Sequence, residues 1–478
     1  MKKILLILSL VLGGCLTDIT AQSLSLQECI DKALEHNHSL SSAKLKLEQT
    51  GFDMKSYKAN FYPKINLLAT DFYSTAQGDI TIAGGHLPIY NYVESAGAFV
   101  PNVTTNADGS YRLNQYADFP SQTMKWKLQN FFVGGISLME PVYSGGKITT
   151  AYEMSKLGVN MARENIRLTE SEVIVKTCEA YYQAVEAKEL GDVAHAYEAM
   201  LTELKKNVEG AFRHGMSTRN DVMKVQVKQN EAALSIQKAD NGYHLALMNL
   251  CHIIGMPLDS EIETVSPTAS GQGTGDSTLV HLPFKGNMAT DHEEAISLRP
   301  EHAILSDKTE LARQKVKLTK SDYLPNVMVG ASYFYANGGE LAGKRLMADG
   351  SASVGVAVKV PVELFGGTAN KVRSARAAYQ IAQLEQQDID ERMQLELSQC
   401  QNLCAEHQTE LDLCDVALRQ ATENMHLSKQ QYEVGLETLS DYLEAQAMWQ
   451  KCSADLVRAR CQLHLAQVKL LKASGQLR

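Results

Sequence analysis

The sequence predicts a mainly α-helical protein with a small β part, built from two copies of one structural unit. Three observations predict it: long tracts without proline, four stretches of alternating hydrophobicity, and a motif order that occurs twice. All eleven prolines fall within residues 63–141 and 257–325 or at residue 361. Because proline breaks helix interiors, the proline-free tracts 142–256 and 362–478 are suited to long helices.

The internal two-fold repeat is read by aligning the chain with itself. The segment KANFYPKINLLATDFY aligns with KSDYLPNVMVGASYFY, which places Pro63 over Pro325, and further along Pro141 aligns with Pro361. Each copy is expected to run helix, strand, loop, strand, long helix, tight turn, helix. The predicted bounds are residues 22–255 for the first copy (strands 61–74 and 128–142, helices 147–211 and 217–254), 256–290 for a polar linker, and 291–478 for the second copy (strands 325–336 and 352–362, helices 368–432 and 437–475).

The predicted helices are too long to be buried in a globular domain. A helix from Lys147 to Ala211 would be roughly 100 Å long at about 1.5 Å per residue. Such a helix is stable only when it packs along its length against others of its kind. We therefore expect coiled-coil hairpins.

The predicted strands have the opposite period. In ASVGVAVKVPV, Val354, Val356 and Val358 face one way while Ser353 and Gly355 face the other. Strands of about ten residues with this alternation are typical of a transmembrane β-barrel. Four strands are too few, because about eight are needed to close a barrel and open edges are not tolerated in lipid. The sequence therefore predicts completion by other copies, and a homotrimer with about twelve strands is the simplest even solution.

The N-terminus is predicted to be an export signal. Residues 1–21 combine a charged start with a short apolar run, and cleavage after Ala21 is favoured. The alternative is a lipoprotein signal that ends before Cys15, which would then be acylated. No later apolar run is long enough to predict a transmembrane helix. The formal net charge of −9 argues against a nucleic-acid partner.

The nine cysteines do not form a convincing disulfide pattern. Cys400, Cys404 and Cys414 lie in strongly helical sequence, where residues four apart are poorly placed for a bridge. The same residues with His407, or the pair His36 and His38, also make poor metal sites, because zinc ligands usually come from turns or separate elements. We expect small buried cysteines, no metal, no cofactor and no catalytic residue.

These features together resemble the TolC-like outer-membrane efflux protein family. The resemblance is based on the strand-leading motifs FYP and YLP, the junctions PVYSGGK and PVELFGGTANK, and the turns around Gly215 and Gly435. It implies a trimer in the outer-membrane lipid, with a twelve-stranded β-barrel above a periplasmic α-barrel. It also implies passive conduction of substrates from an inner-membrane pump and a periplasmic adaptor to the exterior. Residues 74–127 form a much longer excursion between strands than residues 336–352 do, and are expected to face outside the cell.

The two helix–helix turns share a Gly, a Thr and, three residues after the Thr, an Asp. One interpretation is structural: Thr218 and Thr438 cap the following helices, and each capping Asp reaches back to its Thr. The other adds a gate. The resemblance maps the family's constriction carboxylates onto Asp441 and Glu444, with Asp221 as the counterpart in the first repeat, and converging carboxylates would favour cations.

Two further roles follow from the resemblance. Where relatives have an Arg that ties neighbouring helices together, this sequence has Glu437, so Lys224 and Arg219 are expected to supply replacement pairs, with Tyr432 as a hydrogen-bond partner. Gly215 and Gly435 match the tips where adaptor hairpins dock, although turn geometry alone would also require glycine.

A rival function is an exported coiled-coil protein with a structural or adhesive role at the cell surface. It would explain the signal and the long helices, but neither the alternating strands nor the repeat.

Overall fold

A computed structural model describes residues 22–265, 292–345 and 350–477. The predicted signal, including Cys15, and most of the predicted linker lie outside the described residues. The described residues divide into two compact units. The helical unit holds the described parts of Met1–Lys55, Tyr152–Lys317 and Lys371–Arg478, and the sheet unit comprises Ser56–Ala151 and Leu318–Asn370.

Eight helices are described, with one 3₁₀ turn at Ser321–Tyr323. They are α1 (Leu26–His36), α2 (His38–Ala59), α3 (Lys147–Arg213), α4 (Arg219–Ile254), α5 (His292–Leu298), α6 (Pro300–Lys320), α7 (Gly367–Glu433) and α8 (Leu439–Ala473). Helices α3 and α7 contain 67 residues each. The four long helices begin and end within two residues of the bounds expected from the sequence. None of the described helices is both long and apolar enough to span a membrane.

The core of the helical unit joins the N-terminal segment to three long helices. Ile30 of α1, Ile174 of α3, Leu250 of α4 and Val468 of α8 are buried in one cluster. Strand β1 (Gln22–Leu24) pairs in parallel with β11 (Ile262–Thr264) at the same place. The hydroxyl of Tyr181 donates to the carbonyl of Val265 at 2.8 Å, which fastens this strand pair onto α3.

Helices α3 and α7 have the same length but unequal burial. Helix α3 has buried side chains from Ala162 to Val208. On α7, by contrast, Leu384, Leu395 and Leu413 each expose about two thirds of their surface (65%, 69% and 65%). The apolar face of α7 is therefore largely unfilled in one chain.

Cysteines and one histidine lie within these helices. Cys29, Cys178, Cys251 and Cys461 are buried, and the remaining described cysteines are half-buried and unpaired. Burial raises the pKa of the Cys178 thiol to about 12. His464 stacks on Tyr182 with ring centroids 5.3 Å apart, and burial lowers its pKa.

The sheet unit is built on four long antiparallel strands in the order β14–β12–β10–β2. They are β2 (Lys64–Tyr73), β10 (Gln122–Tyr143), β12 (Asn326–Leu341) and β14 (Ser351–Lys359). In the described part of the chain, β2 pairs with β10 alone and β14 pairs with β12 alone, so the outer edge of each of these two strands has no partner strand. Every residue of β2 and β14 is exposed. The sheet is therefore open at both edges and without a core of its own.

The structure corrects the strand count in one region. The sequence predicted four strands and a plain loop at residues 74–127, but that loop contains seven short strands. They are β3 (Gln77–Ile82), β4 (Gly85–Pro88), β5 (Tyr90–Val93), β6 (Ala98–Pro101), β7 (Val103–Thr105), β8 (Tyr111–Leu113) and β9 (Tyr116–Phe119), and the two-residue β13 (Lys344–Arg345) lies after β12. Strands β10 and β12 also extend further than expected, because β10 pairs with β3 and the end of β12 pairs with both β10 and β13.

Candidate functional site at the helix–helix turns

The two turns have the same backbone geometry. Gly215 and Gly435 have φ angles of +78° and +79°, in the left-handed region that favours glycine. After each glycine, the next amide closes back on the end of the preceding helix: Met216 N donates to Ala211 O and Leu436 N to Gln431 O, at 2.9 and 2.8 Å. The chain thus reverses within five residues at both turns.

Each turn ends in a capping box. Thr218 is the N-cap of α4: its hydroxyl accepts from the amide of Asp221 at 3.2 Å, and the Asp221 carboxylate accepts from the amide of Thr218 at 3.1 Å. Thr438 and Asp441 make the same pair of contacts at the start of α8. These hydrogen bonds satisfy amides that the first helical turn leaves free.

The caps keep both aspartates ionised. The hydroxyl of Thr218, with help from its amide and from Ser217, lowers the pKa of Asp221 below its usual value. Thr438 lowers the pKa of Asp441 in the same way. Hydrogen bonds to a carboxylate favour its charged form. Both turns therefore carry a negative charge at neutral pH.

Two contacts join the first hairpin to the second near the turns. The Lys224 ammonium donates to the Ser440 hydroxyl at 2.9 Å, which links α4 to α8. Lys429 of α7 pairs with Glu203 of α3 at 3.4 Å. Lys224 was predicted as a pairing residue, whereas Lys429, Glu203 and Ser440 were not, because nothing in their spacing shows that the hairpins are neighbours.

An aromatic pair lies behind the second turn. Tyr432 stacks on Tyr442 with ring centroids 5.6 Å apart and planes 20° from parallel. Burial, and next the nearby Asp221, raise the pKa of the Tyr432 phenol. Tyr442 belongs to a buried cluster with Leu201 and Val225, so the stack couples the turn to the core of both hairpins.

The other predicted gate residues are separated. Glu437 accepts a hydrogen bond from the Ser428 hydroxyl of its own hairpin. Arg219 is exposed and makes no ion pair with another described residue. Glu444 is also exposed, and lines a groove with Lys224, whereas Asp221 lines a different cleft. One chain therefore does not bring the predicted carboxylates into a single site.

A cleft of about 1270 Å³ lies beside the turns, between the two hairpins. Its lining includes Met216, Asp221, Lys429, Tyr432 and Gly435. A Cβ built on either turn glycine would meet no heavy atom within 4 Å, so both turns are open to approach by another backbone. The cleft offers apolar side chains, both signs of charge and two accessible turns, which suits a protein partner better than a small ligand.

Comparisons with known proteins find similar chains of the outer membrane. The family model described as "Outer membrane efflux protein" matches residues 294–476. The alkaline protease secretion protein AprF of Pseudomonas aeruginosa is 23% identical over 354 residues, covering 72% of this chain and 70% of that protein. The outer membrane efflux protein BepC of Brucella suis is 22% identical over 402 residues, covering 83% of this chain and 81% of that protein.

The fold is found in solved structures as well. The outer membrane protein VceC of Vibrio cholerae superposes with a TM-score of 0.70 at 16% identity, covering 94% of this chain and 96% of that one. The chain therefore has the mainly helical fold of that outer membrane protein, and the match to the family model over residues 294–476 supports the resemblance to the TolC-like family.

Proposed function

We propose that this chain, a TolC-like outer-membrane factor, is the passive channel-tunnel of a tripartite export system. It resides in the outer membrane, with a large periplasmic portion, and its family is one of channels rather than enzymes. The observation that carries the proposal is the open four-stranded sheet, whose edge strands β2 and β14 are exposed at every residue.

The open sheet supports a trimer. Backbone groups at an unpaired edge have no water to bind inside lipid, so each edge needs a partner strand. Joining β14 of one copy to β2 of the next satisfies both edges at once. Three copies of four strands give about twelve, within the range of closed membrane barrels.

The long helices support a tube in the periplasm. Helices α3 and α7 are each 67 residues long, and they would take corresponding positions in the proposed two-fold repeat. Six such hairpins from three copies would enclose an α-barrel. The apolar side chains that α7 exposes, such as Leu395 and Leu413, would then be covered by the neighbouring copy.

The turns would form the periplasmic end of this tube. Asp441 and Glu444, with Asp221 as a weaker candidate, would converge only when three copies are present, and would make the opening prefer cations. Lys224 and Lys429 join the two hairpins of one copy there, and Tyr442, which stacks on Tyr432 within the second hairpin, packs into the cluster that both hairpins share. They support a gate that is closed by contacts within each copy, in place of the Arg-based tie of relatives.

The same end would bind the periplasmic adaptor. Gly215 and Gly435 are accessible, and the cleft beside them is lined by apolar and charged side chains. The adaptor would connect the tunnel to an inner-membrane pump. The names of the relatives include both protease secretion and efflux.

Cysteine pairs across the sheet edges test the trimer. Leu67 of β2 and Val356 of β14 are both exposed, at 82% and 66%. With both residues changed to cysteine, oxidation should give covalent trimers in outer membranes. Moving the cysteine in β14 from residue 356 to the position of Val354 or Val358 would identify the register between β14 of one copy and β2 of the next. Each single-cysteine variant is the control and should give no covalent ring.

The same experiment distinguishes the proposed channel from the rival adhesive function. A sealed monomer would form the bond within one chain and run as a monomer after denaturation, which would end the proposal. A coiled-coil adhesin would leave the surface without detergent, and would show no strand-to-strand bond. A heat-modifiable trimer on semi-native gels is expected instead.

A further inference from the structure

The excursion between β2 and β10 is a folded arm. We use the name arm for residues 83–121. It contains three two-stranded antiparallel sheets, formed by β4 with β9, β5 with β6, and β7 with β8. At its base, Ile82 of β3 is in register with Gln122 of β10, so the arm begins and ends on the main sheet.

The arm has a fixed internal geometry. At its neck, a Cβ on Gly84 would lie 2.5 Å from the amide nitrogen of Ser121, so the two chain segments pass in direct contact. The His86 ring contacts the Asp118 carboxylate at 2.5 Å across β4 and β9. Between the β5–β6 and β7–β8 sheets, the side chain of Asn102 is hydrogen-bonded to the side chains of Asn114 and Gln115, at 3.1 Å in both cases.

The arm nevertheless has no core. Among the described side chains from residue 44 to residue 161, none is buried. Its large apolar residues are exposed by between 37% and 72%: Leu87, Ile89, Tyr90, Tyr92, Val93, Phe99, Val100, Tyr111, Tyr116 and Phe119. A two-stranded sheet is at best marginally stable in water, and an apolar patch of this extent normally marks an interaction surface.

The charge of the arm restricts what can cover it. Its ionised residues are Glu94, Asp108, Arg112 and Asp118, and it contains no lysine. Anionic lipid headgroups are bound by clustered lysine and arginine, which the arm lacks. The occupant is therefore a surface that is itself apolar and poor in charge, and the arm of another copy has this composition.

We propose that the arms of three copies pack against one another through these aromatic faces and form a collar over the channel mouth. The proposal rests on the trimer of the proposed function. About twelve strands, spaced about 4.8 Å and tilted about 40°, enclose a radius of about 12 Å. A four-residue strand such as β4 or β5 is about 14 Å long. Arms of this length, folded inward, would reach one another across the mouth.

A cysteine on the arm tests this contact. Tyr111 lies in β8 and is 72% exposed, and the sequence has no cysteine between Cys29 and Cys178. In Tyr111→Cys, a short bis-maleimide should join copies in intact outer membranes more than about tenfold faster than in the unaltered chain, because neighbouring arms share a high effective concentration. The unaltered chain, with its helical cysteines, is the control.

Removal of the arm provides the second measurement. Replacing residues 83–121 by a short Gly-Asn-Gly turn keeps the Ile82–Gln122 pair. Trimers should still form, and single-channel conductance, measured with Asp441 and Glu444 both changed to Ala so that the periplasmic end does not limit it, should rise because the mouth is uncovered. Trimers without an arm-to-arm bond in Tyr111→Cys, or with unchanged conductance after the deletion, would refute the collar and leave the channel intact. Failure of the β2–β14 ring itself would refute the channel instead.

Discussion

The capping box at the first turn allows one substitution to be worked out in detail. In Thr218→Ala, the Asp221 amide loses its acceptor at 3.2 Å, and the Asp221 carboxylate loses the hydroxyl that donates to it at 2.7 Å. Loss of an N-cap side chain costs about 1 kcal/mol. Local opening of the first turn of α4 should therefore become about fivefold more frequent.

Hydrogen exchange of the tip amides measures this opening. The amides of Asp221 and Val222 should exchange about fivefold faster in Thr218→Ala at neutral pH. Ser235→Ala is the matched control on the same helix. It removes a hydroxyl that donates to the Glu231 carbonyl within the helix rather than capping it, and it should leave tip exchange unchanged.

The effect of Thr218→Ala on local opening also depends on pH, and the lowered pKa of Asp221 decides the direction of that dependence. The folded-state pKa of Asp221 is lowered, chiefly by the Thr218 hydroxyl. A lowered carboxyl pKa stabilises the fold above the unfolded-state pKa, and this stabilisation is lost as the pH falls through the folded-state pKa. The difference between Thr218→Ala and the unaltered chain should thus shrink on acidification. Equal exchange in both proteins at neutral pH would refute the capping role.

Three further predictions concern the gate, the adaptor and acid stability. In the proposed channel, changing Asp441 and Glu444 together to Ala should raise the conductance and reduce its preference for cations, and an unchanged reversal potential in a salt gradient would remove the gate. Gly435→Val forces a branched side chain to φ +79° at an open turn, and should leave trimers in the membrane while abolishing export. Gly210→Ala, inside α3, is the control and should retain both trimers and export. Burial lowers the pKa of His464, so its neutral form stabilises the fold and this contribution falls as the pH drops through about 6.5. Melting temperatures from pH 7 to pH 5 should therefore fall less in His464→Gln than in the unaltered chain.

The sequence predicted the long helices well because their limits are local signals. Gly215 and Gly435 require positive φ angles, and the threonines that follow cap the next helix, so each turn can be located from a few residues. The seven short strands were missed because glycine, proline and asparagine interrupt their alternation, and each strand exists only through its partner. The extension of β10 has the same cause, since it depends on pairing with β3.

The contacts at the tip depend on tertiary structure. The Lys429–Glu203 pair joins residues that are far apart in sequence, and no periodicity indicates which faces of α3 and α7 are adjacent. Glu437 stands where relatives have an Arg that ties neighbouring helices, and its side chain accepts a hydrogen bond from Ser428 of its own hairpin. The residue types at the turns could be predicted, but the partners of their side chains could not.

The unequal burial of α3 and α7 has a consequence for the newly exported chain. Helix α3 can settle against α4 and α8 of its own chain, whereas α7 leaves leucines such as Leu395 and Leu413 in contact with water. A copy that has not joined the proposed trimer would thus present α7 as one adhesive surface, beside its open sheet edges. In the proposed trimer this surface is covered, so exposed leucines on α7 would distinguish an orphan copy from an assembled one.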